Sequence, residues 1–178
     1  MNPTPAYTAA NDPIDMIENV TFDELRIGQS ADLVRTLTQA DVQAFAAVSG
    51  DSNPAHLDPV YAADTVLHTI VGHGMWTGAL ISALFGTVLP GLGTIYLEQN
   101  LRFRHPVRIG DTLVVRVTVR AKDERRKHVE FDCEVTNQKG ETIVTGSARV
   151  LAPTVKLRRP RTRLPTIKLV QEPAAAAA

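Results

Sequence analysis

The run from Gly74 to Val88 constrains the fold more than any other part of this chain. It holds Met75, Trp76, Ala79, Leu80, Ile81, Ala83, Leu84, Phe85 and Val88, so a helix here is apolar almost all round. Such a helix is buried on most of its sides and needs a layer around it. Gly78, Ser82 and Gly86 recur at every fourth position as a stripe of small side chains, along which another backbone can approach. Pro90-Gly91 stops the helix. After Gly93 the period falls to that of a strand. Ile95, Leu97, Leu101 and Phe103 alternate with Tyr96, Glu98, Asn100 and Arg102, and Leu113, Val115, Val117 and Val119 form a second run. Val129, Phe131, Cys133 and Val135 alternate with His128, Glu130, Asp132 and Glu134, a half-exposed strand. Asn137-Gln138-Lys139-Gly140 reads as a hairpin turn and Thr142–Leu151 as the returning strand, with a first strand around Asp32–Leu37. One buried helix followed by a four-strand antiparallel meander predicts an α+β chain, its curved sheet wrapped around a long central helix.

Before that helix lie two shorter ones. Thr38-Gln39-Ala40-Asp41 has the form of a capping box with Asp in place of Glu, and Val42, Phe45 and Ala46 then share a helical face. Gly50 supplies the left-handed C-cap. Asp58 caps a second short helix with Pro59 in its first turn. Between them, Ser49-Gly50-Asp51-Ser52-Asn53-Pro54-Ala55-His56 places a carboxylate and an imidazole five residues apart. That spacing fits neither one helix face nor one strand face. A compact loop turned by Gly50, Asn53 and Pro54 can aim both groups at one point, as proton transfer to and from water requires.

The segment from Ser49 to His56 resembles the signature of the MaoC-like, (R)-specific enoyl-CoA hydratases. The likeness continues through Leu57–Ala63, His73-Gly74-Met75, Leu89-Pro90-Gly91, Ile95–Gln99 and Phe103–Asp111, covering Ile17 to Pro153 in all. The resemblance implies a single hotdog fold, in agreement with the helix and strand pattern. It implies reversible hydration of a trans-2-enoyl-CoA to (R)-3-hydroxyacyl-CoA, with Asp51 and His56 activating the water. Gly74, at the start of the long helix, would donate its N–H to the thioester oxygen as enolate charge develops. Asn53, Ser82 and Phe85 are candidate substrate contacts. Beside these roles stand plainer ones: Asn53 shaping its loop, Ser82 as a small packing residue, Phe85 as core. The reaction needs no cofactor, and no metal is expected, because His68, His105 and His128 lack metal-ligand spacing and His68 and His73 are five apart. The fold generally forms dimers, so a homodimer or dimer of dimers is expected. Related chains run on into a phosphate acyltransferase domain, which implies a link to such a domain or partner. A hotdog acyl-CoA thioesterase, a (3R)-hydroxyacyl-carrier-protein dehydratase and a non-catalytic acyl-CoA-binding module remain the rival readings.

The chain has 178 residues, length for one domain with a sizeable core. Its formal net charge is zero, which argues against a general nucleic-acid binder. Charge is nonetheless uneven: residues 156–178 hold six basic residues and one acid, a net of +5 against −5 for the rest. The expected organisation is a flexible N-terminal arm over 1–16, a globular domain over 17–153 and a basic, proline-rich arm over 154–178. A single cysteine, Cys133, fits a reducing compartment. The N-terminus carries no secretory pattern, and the apolar run falls short of the roughly 20 residues that span a bilayer, so no membrane association and a cytoplasmic location are expected.

Overall fold

A computed structural model describes residues 16–170. Residues 1–15, with nearly all of the expected N-terminal arm, and residues 171–178, with the terminal alanines, lie outside the described residues. The chain runs β1 (Met16–Glu18), β2 (Ser30–Thr36), α1 (Gln39–Ser49), α2 (Pro54–Leu57), α3 (Pro59–Ala63) and α4 (Gly74–Thr87), then β3 (Ile95–Phe103), β4 (Thr112–Asp123), β5 (His128–Thr136), β6 (Thr142–Leu151) and β7 (Arg158–Pro160). The local signals act as expected. Thr38 and Asp41 close a capping box on α1, and Gly50 ends that helix at φ 74° with its N–H bonded to the Ala46 carbonyl. Asp58 accepts from the Val60 and Tyr61 N–H groups at the start of α3.

A five-stranded antiparallel sheet packs against α4, which meets β2, β3 and β4. Trp76, Ile81, Leu84 and Phe85 on α4 join Val115, Val117, Val119, Phe131 and Val135 from the sheet in one core. At its centre the Phe85 and Phe131 rings meet edge to face at 4.8 Å, a pairing worth about 1 kcal/mol beyond its buried area. Among the described residues, no helix is long and apolar enough to cross a membrane.

Two expectations are corrected. The strands do not form a sequential meander: the order is β2-β4-β5-β6-β3, with β3 at the edge beside β6 and β2 beside β4. Alternation fixes which side chains share a face and says nothing about which strand is the neighbour. Nor is α4 buried on most sides. Met75 is 57% exposed, and Ala79, Ser82, Ala83 and Gly86 are exposed along the same side. The facing part of β3 is open too, with Ile95, Leu97 and Phe103 exposed. Within the expected C-terminal arm, residues 158–160 form a short strand. Strand β7 pairs with β1, Met16 opposite Pro160, at an edge where a missing N–H is tolerated. Lys156 Nζ bridges Glu18 at 3.0 Å and Glu24 at 2.9 Å, and buried Asn19 donates to the Leu92 and Val155 carbonyls and accepts from Leu157 N–H.

Candidate active site

Asp51 sits on the loop that leaves the α1 C-cap, and its carboxylate is divided between two tasks. Oδ1 accepts from the Asn53 N–H at 3.2 Å, a local turn that shapes the loop. Oδ2 faces away toward two histidines, 4.0 Å from Nε2 of His56 and 4.0 Å from Nε2 of His73. Asn53 caps α2, accepting from the Ala55 N–H, which places His56 within the single turn of that helix. The His56 ring is fixed at its other nitrogen: Nδ1 lies 2.7 Å from the Val71 carbonyl. A carbonyl can only accept, so Nδ1 carries a proton, and in the neutral ring the Nε2 lone pair faces Asp51. A separation of 4.0 Å is too long for a direct hydrogen bond. It leaves a position from which one water oxygen reaches both groups at about 2.8 Å.

His73 completes the cluster. Its ring lies on that of His56 at 3.9 Å, with Phe45 at 5.1 Å, and is 3% exposed. Nε2 stands 3.4 Å from the backbone carbonyl of Asp51, while Nδ1 is buried with no hydrogen-bond partner. Burial is the main cause that holds the His73 imidazole below its ordinary pKa, followed by the neighbouring His56; the Asp51 carbonyl and carboxylate pull the other way. The donor atoms of Asp51, His56 and His73 lie within 4.8 Å of one another, so these are the residues that could hold a metal cation.

Gly74 follows as the first residue of α4, where N–H groups have no intrahelical acceptor and the helix dipole is positive. Gly74 and Gly72, the two neighbours of His73, line a cleft of about 280 Å³ walled by Phe103, Arg104 and His105. A Cβ on Gly74 would stand 3.2 Å from the Phe103 ring.

The sequence-derived candidates thus divide. Asp51, His56 and the start of α4 at Gly74 come together. Asn53 is exposed and shapes the loop. Ser82 lies two turns along α4 on its exposed side. Phe85 is 1% exposed, with its ring against Tyr96 and Phe131, so it is a core residue in this chain. The His73 ring was missed. Its motif directs attention to the glycine beside it, and a gap of 17 residues from His56 carries no periodic signal.

A long helix laid along an antiparallel sheet is the hotdog arrangement. Residues 23–140 match the MaoC like domain, and the chain belongs to that family. It is 43% identical over 132 residues to an (R)-specific enoyl-CoA hydratase of Rhodospirillum rubrum, covering 74% of this chain and 91% of that one. It is also 43% identical to the (R)-specific enoyl-CoA hydratase of Aeromonas caviae, over 75% of this chain and 100% of that one. Among solved structures, the unliganded R-hydratase PhaJ1 of Pseudomonas aeruginosa superposes with a TM-score of 0.84 at 45% identity, covering 87% of this chain and 99% of that chain.

Proposed function

We propose that the protein is an (R)-specific 2-enoyl-CoA hydratase, a hydro-lyase that adds water reversibly to a trans-2-enoyl-CoA to give an (R)-3-hydroxyacyl-CoA. The observation that carries this reading is the 4.0 Å gap between the Asp51 carboxylate and His56 Nε2 beside the start of α4. Water held between the pair gives a proton to the free lone pair of His56 Nε2 as its oxygen attacks Cβ. The electrons of the C=C bond move toward the thioester oxygen, which the Gly74 N–H stabilises. A proton delivered from the pair to Cα then completes the addition, and the pair returns to its starting state. Asp51 orients the water and stabilises the imidazolium while it lasts. The hand of the product follows from which face of the enoyl group the water meets. The (R) assignment is supported by the relatives of like name at 43% identity.

The reading extends to a second copy of the chain as partner. The open side of α4 and the unpaired edge of β3 form one apolar face, and an uncovered strand edge invites pairing. The acyl-CoA substrate then enters by the cleft at Gly74. A cytoplasmic location and a link to a phosphate acyltransferase partner or domain belong to the same proposal.

Incubation with crotonyl-CoA tests the reading. Enoyl absorbance is lost and (R)-3-hydroxybutyryl-CoA forms, with and without EDTA. Asp51→Asn and His56→Ala each lower kcat by about 100- to 10,000-fold while the fold is kept. Free CoA without hydroxyacyl product identifies a thioesterase instead. Full turnover in both variants overturns the assignment.

A further inference from the structure

We propose that His73 is a positioning residue that holds the Asp51–His56 water site at a fixed distance from the Gly74 oxyanion donor. This rests on the hydratase reading and assigns a role that the reading itself leaves open.

The substrate sets the requirement. Water attacks Cβ while charge gathers on the thioester oxygen, and the two atoms belong to one flat conjugated unit of fixed length. The water site and the oxyanion donor must therefore keep a matching separation. They lie on different elements. Asp51 and His56 belong to the loop and short helix after α1, whereas Gly74 begins α4. His73 touches both. Its ring stacks on His56 at 3.9 Å, and its Nε2 donates to the Asp51 carbonyl at 3.4 Å. Its own peptide bond carries the Gly74 N–H.

The chemistry of the ring supports this role over simple filling. His73 makes no side-chain cap on the helix that it precedes. Its Nδ1 is buried with no hydrogen-bond partner among the described residues, which is a cost to the fold. A phenylalanine would occupy similar space with no such penalty. A polar ring kept at that cost is accounted for by what Nε2 and the ring face hold in place.

Three variants test the assignment: His73→Ala, His73→Gln and His73→Phe, each assayed for kcat and KM on crotonyl-CoA and for thermal midpoint. In the Ala variant kcat falls about 100-fold, the effect of a misplacement near 1 Å, and KM stays within about threefold. Gln can place an amide N–H where Nε2 stands, and it recovers at least about tenfold of the lost kcat. Phe restores volume and thermal midpoint and leaves kcat low. The inference is overturned by an Ala variant with wild-type kcat, by Phe recovering as much as Gln, or by KM rising in step with the loss of kcat. Should the Ala variant not fold, the comparison of Gln with Phe decides by the same criterion. A wild-type protein that does not hydrate crotonyl-CoA defeats the hydratase reading and this inference together. An active wild type with unaffected variants defeats this inference alone.

Discussion

Gly74→Ala separates two roles that one glycine can play. Gly74 sits in the first turn of α4, where its N–H is free to meet the thioester oxygen. Alanine is the better helix former, by about 1 kcal/mol in a helix interior and less at an end. Against that gain, the new methyl meets the Phe103 ring at 3.2, 3.4 and 3.5 Å. Phe103 is 51% exposed, so its ring can yield by a few tenths of an ångström at small cost. The two effects nearly cancel, to within about 1 kcal/mol, and the thermal midpoint should move by no more than about 4 °C. Activity should behave differently. The methyl stands beside the cleft that Gly74 and Phe103 share, and on the proposed mechanism it displaces the thioester from the donor. A misplacement near 1 Å costs about 100-fold in rate. We therefore expect kcat on crotonyl-CoA to fall about 100-fold in a protein that melts as the wild type does. Wild-type kcat with an unchanged midpoint would show that Gly74 serves only helix entry, and the oxyanion role would be withdrawn.

Other outcomes follow from packing and charge. Gly146→Ala places a methyl inside contact distance of the Asn100 carbonyl oxygen and 3.0 Å from its carbon, in the backbone of β3. With ladder bonds lost as well, the cost is about 3–4 kcal/mol, and thermal unfolding should come roughly 10 °C earlier; an unchanged midpoint would refute the β3–β6 register. The Thr21 N–H first, then Lys156, holds the Glu24 carboxyl at about 2, below its usual 4.5. A depressed folded value means stability that is present above pH 4.5 and lost as pH falls toward 2. Melting between those limits should therefore steepen in the wild type and flatten in Glu24→Gln, and parallel curves would count against the Lys156 clasp. Burial pushes the Cys133 thiol up to about 11 from its usual 9.0, so alkylation at pH 8 should be at least about 100-fold slower in the folded protein than in the unfolded one. Equal rates would mean that β5 opens readily.

Much of this protein was written locally in its sequence. The Thr38–Asp41 box, the left-handed Gly50 and the Asp58 cap fix helix ends through bonds made within a few residues, so they could be read without the fold. The same holds for the Asp51–His56 loop, whose turn at Asn53 is built from neighbouring backbone. The strand β5 showed its buried side through strict alternation. Tertiary structure decided what depends on partners distant in sequence. It placed β3 beside β6, because pairing of strands is set by global packing and closure of the sheet. It left one side of α4 open, since a face that is apolar in sequence is buried only where something covers it. It paired residues 158–160 of the expected arm with β1, where Pro160 is tolerated at a strand edge. It also carried His73 across from the start of α4 onto His56, a contact of two rings that no local spacing encodes. The sequence by itself determined the Asp51–His56 loop, and only the folded chain determined which distant side chains pack against it.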